Sequence, residues 1–258
     1  MPARKFHSKT SDPEVLLGVH SIREAIRAGR RKIYTIYTLK KRASDRFREI
    51  IRHAESNRIP IEQLDRDAFG AIAGQERHQG IAARVSAYPR VDFSKLLNRF
   101  ETEHSTPFML LLDGIVDPQN FGALVRTADC VGVDGICIPK DRSSGPTPAV
   151  SRASAGALEH AAVAQITNMA GTLSLLKKEG FWVVGLDAAQ KESIFTADLT
   201  VPTAIVIGGE QKGIRPLVKK QCDLLVSIPQ SGKIDSLNAS VAGAVAMYEV
   251  FRQRNCRV

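Results

Sequence analysis

Short apolar runs separated by amphipathic segments dominate the C-terminal two thirds of the chain. Residues 108–112 and 204–207 carry no polar side chain, and Gly or Pro stands close to each end of both runs. Runs of this kind are typical of strands that are buried on both faces of a parallel sheet. Helical spacing between the runs predicts an α/β domain with a mostly parallel sheet. In the last helix, we expect one stripe to face the core: Leu237, Val241, Val245, Tyr248 and Phe251.

The first part of the chain shows a shorter version of the same alternation. β-branched and aromatic residues predict strands at 32–39, 60–64 and 80–85, with helices between them. Ser21 and Glu24 have the spacing of a capping box at the start of the first helix. The pattern predicts a disordered tail at 1–14, a small α/β domain at 15–86, a linker at 87–106 and a larger domain at 107–258.

The chain is strongly basic, with a formal net charge of +9 and a pI near 9.6. Such an excess favours a polyanionic partner, nucleic acid before an anionic membrane, although solubility alone would also explain it. Two basic runs, 27–32 and 40–42, are predicted to share one end of the small domain and to contact RNA. Neither a membrane-spanning run nor a secretory signal is found, so a cytoplasmic protein is expected.

Several kinds of site have no support in the sequence. There is no G-x-G-x-x-G after a strand, no P-loop, no G-x-S-x-G and no H-E-x-x-H. The four cysteines include no C-x-x-C pair, so no metal site is predicted. Cys130 and Cys137 are expected to be core or near-core thiols of a reducing compartment.

A binding site is predicted where two apolar runs end in polar, glycine-containing segments. One is 208–215, and the other is 230–235, which leads through 236–240 into the last helix. Ligands of parallel sheets bind at the carboxyl ends of strands, where backbone groups are free. After the run that ends at Asp113, a turn leads to Asn120, expected at or near a helix N-cap, with Arg126 six positions further along.

Three of these segments resemble the motifs of the SpoU branch of the SPOUT RNA methyltransferases: Asn120–Ala128, Ile207–Gly213 and Ile228–Ala242. The resemblance extends from Pro107 to Arg254. It implies a C-terminal parallel-sheet domain tied in a trefoil knot, S-adenosylmethionine bound in the knot, and a homodimer formed through that domain. The N-terminal part, ending in His78–Ala82, is similar to the family's small L30e-like α/β domain, which binds the RNA substrate.

The resemblance also assigns residues to cofactor and catalysis. By position, Gly208, Ile228 and Leu237 match the family's cofactor contacts. The family methylates a ribose 2′-hydroxyl, a reaction that needs positioning of the reactants and removal of the hydroxyl proton. Arg126 matches the catalytic position. Because a guanidinium stays protonated, a role as phosphate clamp is favoured, and a role as base is left open.

The remaining matched positions are polar. Glu210 would orient Arg126 or a neighbouring loop, Asn120 and Asn238 would hydrogen-bond within the pocket, and Ser236 would contact ribose or cofactor. Glu159 also matches a family position, but chemistry alone assigns it no role.

Two-part chains of this kind resemble bacterial enzymes that methylate a guanosine in large-subunit rRNA, so rRNA is the expected substrate. A tRNA methyltransferase and an antibiotic-resistance methyltransferase are the alternatives within the family. A non-catalytic RNA-binding or ribosome-assembly factor is a further alternative. The presence of Asn120, Arg126, Glu210 and Asn238 argues against it.

Overall fold

The computed structural model describes residues 12–40, 47–74, 78–102, 106–234 and 236–256. Contacts within the chain divide it into two compact units, residues 1–89 and 90–258. Residues 1–11 of the predicted disordered tail lie outside the described residues, and Glu14 already begins a strand. No helix in the described part of the chain has the length and apolar character to cross a bilayer.

The first unit is a four-stranded sheet with helices on both faces. Its elements are β1 (Glu14–Leu17), α1 (Val19–Ala28), β2 (Ile33–Leu39), α2 (Arg48–Ser56), β3 (Ile61–Leu64), α3 (Arg66–Ala73) and β4 (Ile81–Val85). The strand order is β1-β4-β2-β3, with β4 antiparallel to both neighbours and β2 parallel to β3. Ile22 and Ile50 of α1 and α2 pack on one face, and Phe69 of α3 packs on the other.

The start of α1 differs from the prediction. The helix begins at Val19, after Gly18, and Ser21 is a buried residue inside it rather than its N-cap. The backbone N–H of Val19 donates to the side-chain oxygen of Gln79 at 2.9 Å. The capping-box prediction was wrong because a glutamine distant in sequence satisfies the first turn.

The first basic run and Lys40 lie at opposite ends of β2, so among the described residues the prediction that the two runs share one end was wrong. The first run precedes the strand and Lys40 follows it; seven residues of strand span about 23 Å. Lys41 and Arg42 lie outside the described residues. Arg27 pairs with Glu24 and Glu49. The first run therefore offers fewer free cations than its composition suggests.

The second unit is built on a six-stranded sheet in which every pairing is parallel, with strand order β10-β8-β9-β5-β6-β7. The parallel α/β architecture predicted from the apolar runs is confirmed. Its first elements are α4 (Phe93–Thr102), β5 (Phe108–Asp113), α5 (Pro118–Cys130), β6 (Gly135–Pro139), α6 (Pro148–Ala153) and β7 (Val163–Ile166). They are followed by α7 (Met169–Lys178), β8 (Trp182–Leu186), β9 (Thr203–Gly208), α8 (Pro216–Lys219), β10 (Leu224–Val226) and α9 (Ala239–Asn255). The trefoil knot implied by the resemblance stays a prediction.

The segment predicted as a linker contributes a helix to the second unit. Leu96 of α4 is fully buried in the core formed by one face of the sheet. Val91, just before α4, pairs with Ala164 of β7 as an isolated parallel bridge. The amphipathic run in this segment is therefore used for packing rather than exposed as a connection.

Residues 148–159, rich in small side chains, form two short pieces rather than one continuous helix. The first piece ends at Ala153, because Ala155 and Gly156 adopt positive φ angles of 53° and 92°. One 3₁₀ turn, Ala157–Glu159, follows. A right-handed helix cannot continue through two such residues.

The apolar stripe predicted to face the core on α9 is partly exposed. Val241 and Tyr248 are 49% and 51% exposed. The buried face of the helix instead carries Gly243, Ala246, Met247 and Val250, and a Cβ at Gly243 would lie 2.3 Å from Leu124 Cδ2 of α5. The glycine lets α9 approach α5 closely on this face, while Val241 and Tyr248 lie on the exposed side.

Of the two cysteines predicted to be core or near-core thiols, only Cys137 is buried. Its burial raises the pKa of the thiol to about 12. Cys130 is exposed at the end of α5, so its prediction as a core thiol was wrong. All four cysteines are free thiols.

Candidate active site

A cavity of about 490 Å³ opens at the carboxyl ends of β8, β9 and β10. Its volume falls in the usual range of small-molecule sites. The cavity is lined by six of the residues predicted for the site: Gly208, Glu210, Ile228, Ser236, Leu237 and Asn238. The two glycine-containing segments predicted to form one binding site therefore meet at this edge of the sheet.

Three segments that are distant in sequence are joined by a chain of side-chain hydrogen bonds. Asn120 Nδ2 donates to Glu210 Oε1 at 2.5 Å, and Asn238 Nδ2 donates to Asn120 Oδ1 at 3.1 Å. Asn238 Oδ1 accepts from the backbone N–H and the hydroxyl of Ser240, and thereby caps α9. The network fixes the position of Glu210 relative to the starts of α5 and α9.

Asn120 is not the N-cap of its helix. Asp117 takes that place, with its carboxylate accepting from the N–H of Gln119 at 3.0 Å, and Pro118 is the first helical residue. Asp and Asn are equally good caps, but Pro118 follows Asp117 and its fixed φ suits the first helical position, which sets the start of α5 there. Asn120 lies in the first turn, and its amide is free for the network with Glu210 and Asn238.

The loop after β9 folds back tightly on itself. Gly209 N–H donates to the Asp113 carbonyl at 3.1 Å, and Gly213 N–H donates to the Gly209 carbonyl at 2.9 Å. A Cβ at Gly208 would lie 2.0 Å from the carbonyl carbon of Gly213. The loop backbone itself therefore requires glycine at position 208, whether or not a ligand is bound there.

An ion pair that the sequence analysis did not predict anchors the far side of this loop. The Asp113 carboxylate is fully buried, and it accepts from Arg215 Nε at 2.8 Å and from the Arg215 backbone N–H at 2.9 Å. The sequence held a signal for it, because Asp113 is the one charged residue that ends an otherwise fully apolar strand.

The wall of the cavity carries an acid paired with a lysine. Asp187 Oδ2 lies 2.6 Å from Lys219 Nζ. Partial burial works to raise the pKa of Asp187, but hydrogen bonds from Lys219, Gln190 and the Ala189 N–H outweigh it and lower that pKa. Asp187 is therefore ionised at neutral pH and presents a negative charge beside the cavity.

Arg126 is the predicted site residue that lies apart from the others. It is exposed on α5 and does not line the cavity. Arg126 is six positions after Asn120, which turns the two side chains about 120° apart around the helix. Glu210 contacts Asn120 and not Arg126. Within the described ranges, the Arg126 guanidinium has no hydrogen-bond or ion-pair partner.

Comparison with known families matches both units. Residues 107–248 match the SpoU rRNA Methylase family, and residues 15–91 match the RNA 2′-O ribose methyltransferase substrate-binding family. The chain belongs to the SpoU methylase family. This SpoU methylase is 41% identical over 243 residues to YacO of Bacillus subtilis, named as a TrmH-family tRNA/rRNA methyltransferase, with 94% of this chain and 96% of YacO covered.

Solved structures agree with this assignment. The SpoU methyltransferase AviRb from Streptomyces viridochromogenes, in complex with S-adenosylmethionine, has a TM-score of 0.79 and 25% identity, with 95% of this chain and 92% of AviRb covered. The tRNA-modifying TrmH/SpoU enzyme of A. aeolicus has a TM-score of 0.53 and 27% identity, with 62% of this chain and 83% of that enzyme covered. The SpoU methylase described here is thus an S-adenosylmethionine-dependent RNA 2′-O-ribose methyltransferase.

Substitutions at Asp113 and Arg215 test the anchor of the loop. Arg215→Ala should lower the free energy of unfolding by about 3 kcal/mol or more, because it leaves a buried carboxylate without its cation. Asp113→Asn should cost only about 1–3 kcal/mol, because the half-exposed arginine can turn to water. Urea denaturation of both variants measures the difference. A larger loss in Asp113→Asn than in Arg215→Ala would contradict the role assigned to this pair.

Proposed function

We propose that this methyltransferase acts on a guanosine of large-subunit rRNA, and that Arg126, Asn120, Glu210, Asn238 and Ser236 form its catalytic site. The observation that carries the site assignment is the hydrogen-bond chain Glu210–Asn120–Asn238. It joins the three motif segments, and two of its three members line the 490 Å³ cavity.

The cavity suits S-adenosylmethionine, and we assign Gly208, Ile228 and Leu237 to its binding. The side chains of Ile228 and Leu237 give the cavity apolar surface, and Gly208 brings backbone close without a side chain. Carboxylates of Asp187 and Glu210 and amines of Lys212 and Lys219 all line the cavity, which suits a ligand that carries charges of both signs. When bound, S-adenosylmethionine supplies an activated methyl group on a sulfonium.

The protein's part in the reaction is to position the ribose and stabilise charge. Asn120, itself held by Asn238, fixes Glu210 in the wall of the cavity, and Ser236 adds a hydroxyl to the same lining. Arg126 faces solvent, where its protonated guanidinium is available for an RNA phosphate. We therefore assign Arg126 the role of phosphate clamp rather than base.

The substrate-binding unit supports rRNA over tRNA. The match to the A. aeolicus tRNA-modifying enzyme leaves more than a third of this chain without a counterpart, since it covers 62% of it. The family matched by the second unit is described as one of rRNA methylases. The four free thiols suit a reducing compartment, which agrees with a cytoplasmic reaction.

Within the first unit, we assign RNA contact to a cluster of aromatic and cationic side chains. The Tyr34 ring lies 5.3 Å from Lys32 Nζ and 6.0 Å from the Arg84 guanidinium. The Arg30 guanidinium lies 5.5 Å from the Tyr88 ring. Aromatic rings flanked by cations can stack on bases while the cations neutralise phosphates.

The main prediction concerns methyl transfer from labelled S-adenosylmethionine to total bacterial RNA that is sized afterwards. The wild type should label large-subunit rRNA, and Arg126→Ala should lower the rate by about 100-fold or more, the size of effect seen when a charge-stabilising group is removed from an active site. Cofactor affinity should be unchanged, because Arg126 does not line the cavity. Arg126→Lys keeps the positive charge and should retain part of the activity with the same pH dependence.

Other outcomes of this assay separate the alternatives. Label in tRNA would show that tRNA is the substrate instead of rRNA and would leave the assigned reaction unchanged. Cofactor binding without label in either RNA would point to an assembly intermediate as substrate. Absence of cofactor binding would favour a non-catalytic RNA-binding factor. A pH profile that shifts in Arg126→Lys would restore the role of Arg126 as base.

A second prediction tests the RNA surface. Tyr34→Leu keeps an apolar side chain but loses the aromatic face, and should weaken binding of an rRNA transcript by about fivefold or more, since stacking contributes 1–3 kcal/mol per base. Arg84→Ala should also weaken binding and reduce its salt dependence. Arg27→Ala removes the same charge from an arginine that is already paired with Glu24 and Glu49, and serves as control. Equal effects of the two arginine substitutions would contradict the assignment.

We further propose a homodimer formed through the second unit, with α9 in the interface. Its exposed Val241 and Tyr248 form an apolar surface that a second copy would cover. Light scattering at micromolar concentration should give about twice the 28.2 kDa mass of one chain. Tyr248→Glu should give the mass of one chain, whereas Leu217→Glu, at a residue of α8 that is 71% exposed, should leave the dimer intact. A wild-type monomer would rule the proposal out.

A further inference from the structure

A second, smaller cavity of about 280 Å³ lies at the carboxyl ends of β5 and β6. Four residues of the loop after β9 line both this cavity and the 490 Å³ cavity: Gly209, Glu210, Lys212 and Gly213. The loop is therefore a wall common to the two cavities, and Glu210 belongs to both. Two reactants, one bound in each cavity, could therefore meet at Glu210.

The second cavity combines an apolar surface with charges of both signs. Val116, 60% exposed, and Pro139 supply the apolar part. Asp141 and Arg142 line it from the loop after β6. Across the part of the chain that the structure describes, neither side chain has a hydrogen-bond or ion-pair partner. Exposed side chains without partners beside a cavity are available to a ligand.

The loop that carries Asp141 and Arg142 is held in place at both ends. Ser143 Oγ donates to the Pro139 carbonyl at 2.6 Å, and the Ser144 N–H donates to the Ile115 carbonyl at 2.7 Å. Arg142 adopts a positive φ of 58°, a conformation that a side-chain-bearing residue rarely takes. The charged side chains are thus attached to a defined backbone rather than to a free loop.

We infer that this second cavity receives the target nucleotide, and that Asp141 selects guanine. The inference rests on the proposed function, which it deepens by naming the residue that reads the base. Val116 and Pro139 would contact the base, and Arg142 and Lys212 would meet flanking phosphates other than the one assigned to Arg126. The ribose would then lie at Glu210, beside the cavity assigned to the cofactor.

Guanine is the base that a carboxylate reads best. Its N1–H and N2–H₂ donors lie side by side, so two carboxylate oxygens can accept from both at once. Adenine and cytosine each present one amino group on the corresponding edge, beside an acceptor that a carboxylate repels. Enzymes that modify a base or nucleotide commonly read the extruded base through this edge. Asp141 would therefore favour guanosine over the other three nucleosides.

The test compares Asp141→Asn with Glu179→Gln, which removes the same charge at the opposite, amino-terminal edge of the sheet, before β8. Nucleosides of the methylated RNA are analysed by mass spectrometry. The wild type and Glu179→Gln should form 2′-O-methylguanosine, and Asp141→Asn should form it about 10- to 100-fold more slowly, the range expected for loss of a bidentate base contact. Affinity for S-adenosylmethionine, measured by calorimetry, should be the same in all three proteins.

A binding measurement adds a readout that does not depend on turnover. Guanosine 5′-monophosphate and inosine 5′-monophosphate, which lacks the 2-amino group, are compared by NMR titration. The wild type should prefer the guanosine nucleotide by about fivefold or more, and Asp141→Asn should show no preference. Val116→Trp, which reduces the cavity volume and keeps the Asp141 carboxylate, should weaken both nucleotides and leave cofactor affinity intact.

The failures of the two proposals are distinguishable. A wild type that methylates neither rRNA nor tRNA would overturn the proposed function. A wild type that methylates rRNA, together with an Asp141→Asn variant as fast as Glu179→Gln, would overturn the inference alone. Loss of S-adenosylmethionine binding in Asp141→Asn would also overturn the inference, since Asp141 would then contribute to the cofactor site rather than to the nucleotide site.

Discussion

The Asp113 carboxylate lies at the end of a strand whose six residues are all buried, and it attaches the loop after β9 to the sheet. Its partner Arg215 lies beyond the turn at Gly213, so the pair closes the loop at its base. Both cavities use this loop as a wall. A buried charge at a strand end is costly unless it is paired, and here the pairing anchors the loop whose Glu210 is then held by Asn120.

Much of the second unit could be predicted from sequence because its strands are buried on both faces. A continuous apolar run such as β5 has few alternative structures, and parallel strands bring their carboxyl ends to one edge. That argument alone placed Gly208 and Ser236 beside a common cavity, as the structure has them. The resemblance added which polar residues to propose for the site, and among them Asn120 contacts both Glu210 and Asn238.

Features that depend on tertiary contacts were not predictable in this way. Gln79 satisfies the start of α1 from the loop before β4, which no local pattern reveals. Leu96 belongs to the core of the second unit, although the sequence around it was predicted to be a linker. On α9, close packing at Gly243 decides which face is buried, against the stripe of larger apolar residues. Arg126 lies away from the cavity because helical geometry turns it from Asn120.

Because the two cavities share a wall, the affinity of a ligand in one cavity can depend on whether the other cavity is filled. If filling one cavity moves the loop of Gly209–Gly213 toward a shape that suits the other ligand, the second ligand must strengthen the first by the same factor. A mutation in this loop would then change both dissociation constants, even where its side chain touches only one ligand. Such coupling would let a protein retain its methyl donor until a suitable nucleotide arrives, and release both products once the pair has reacted.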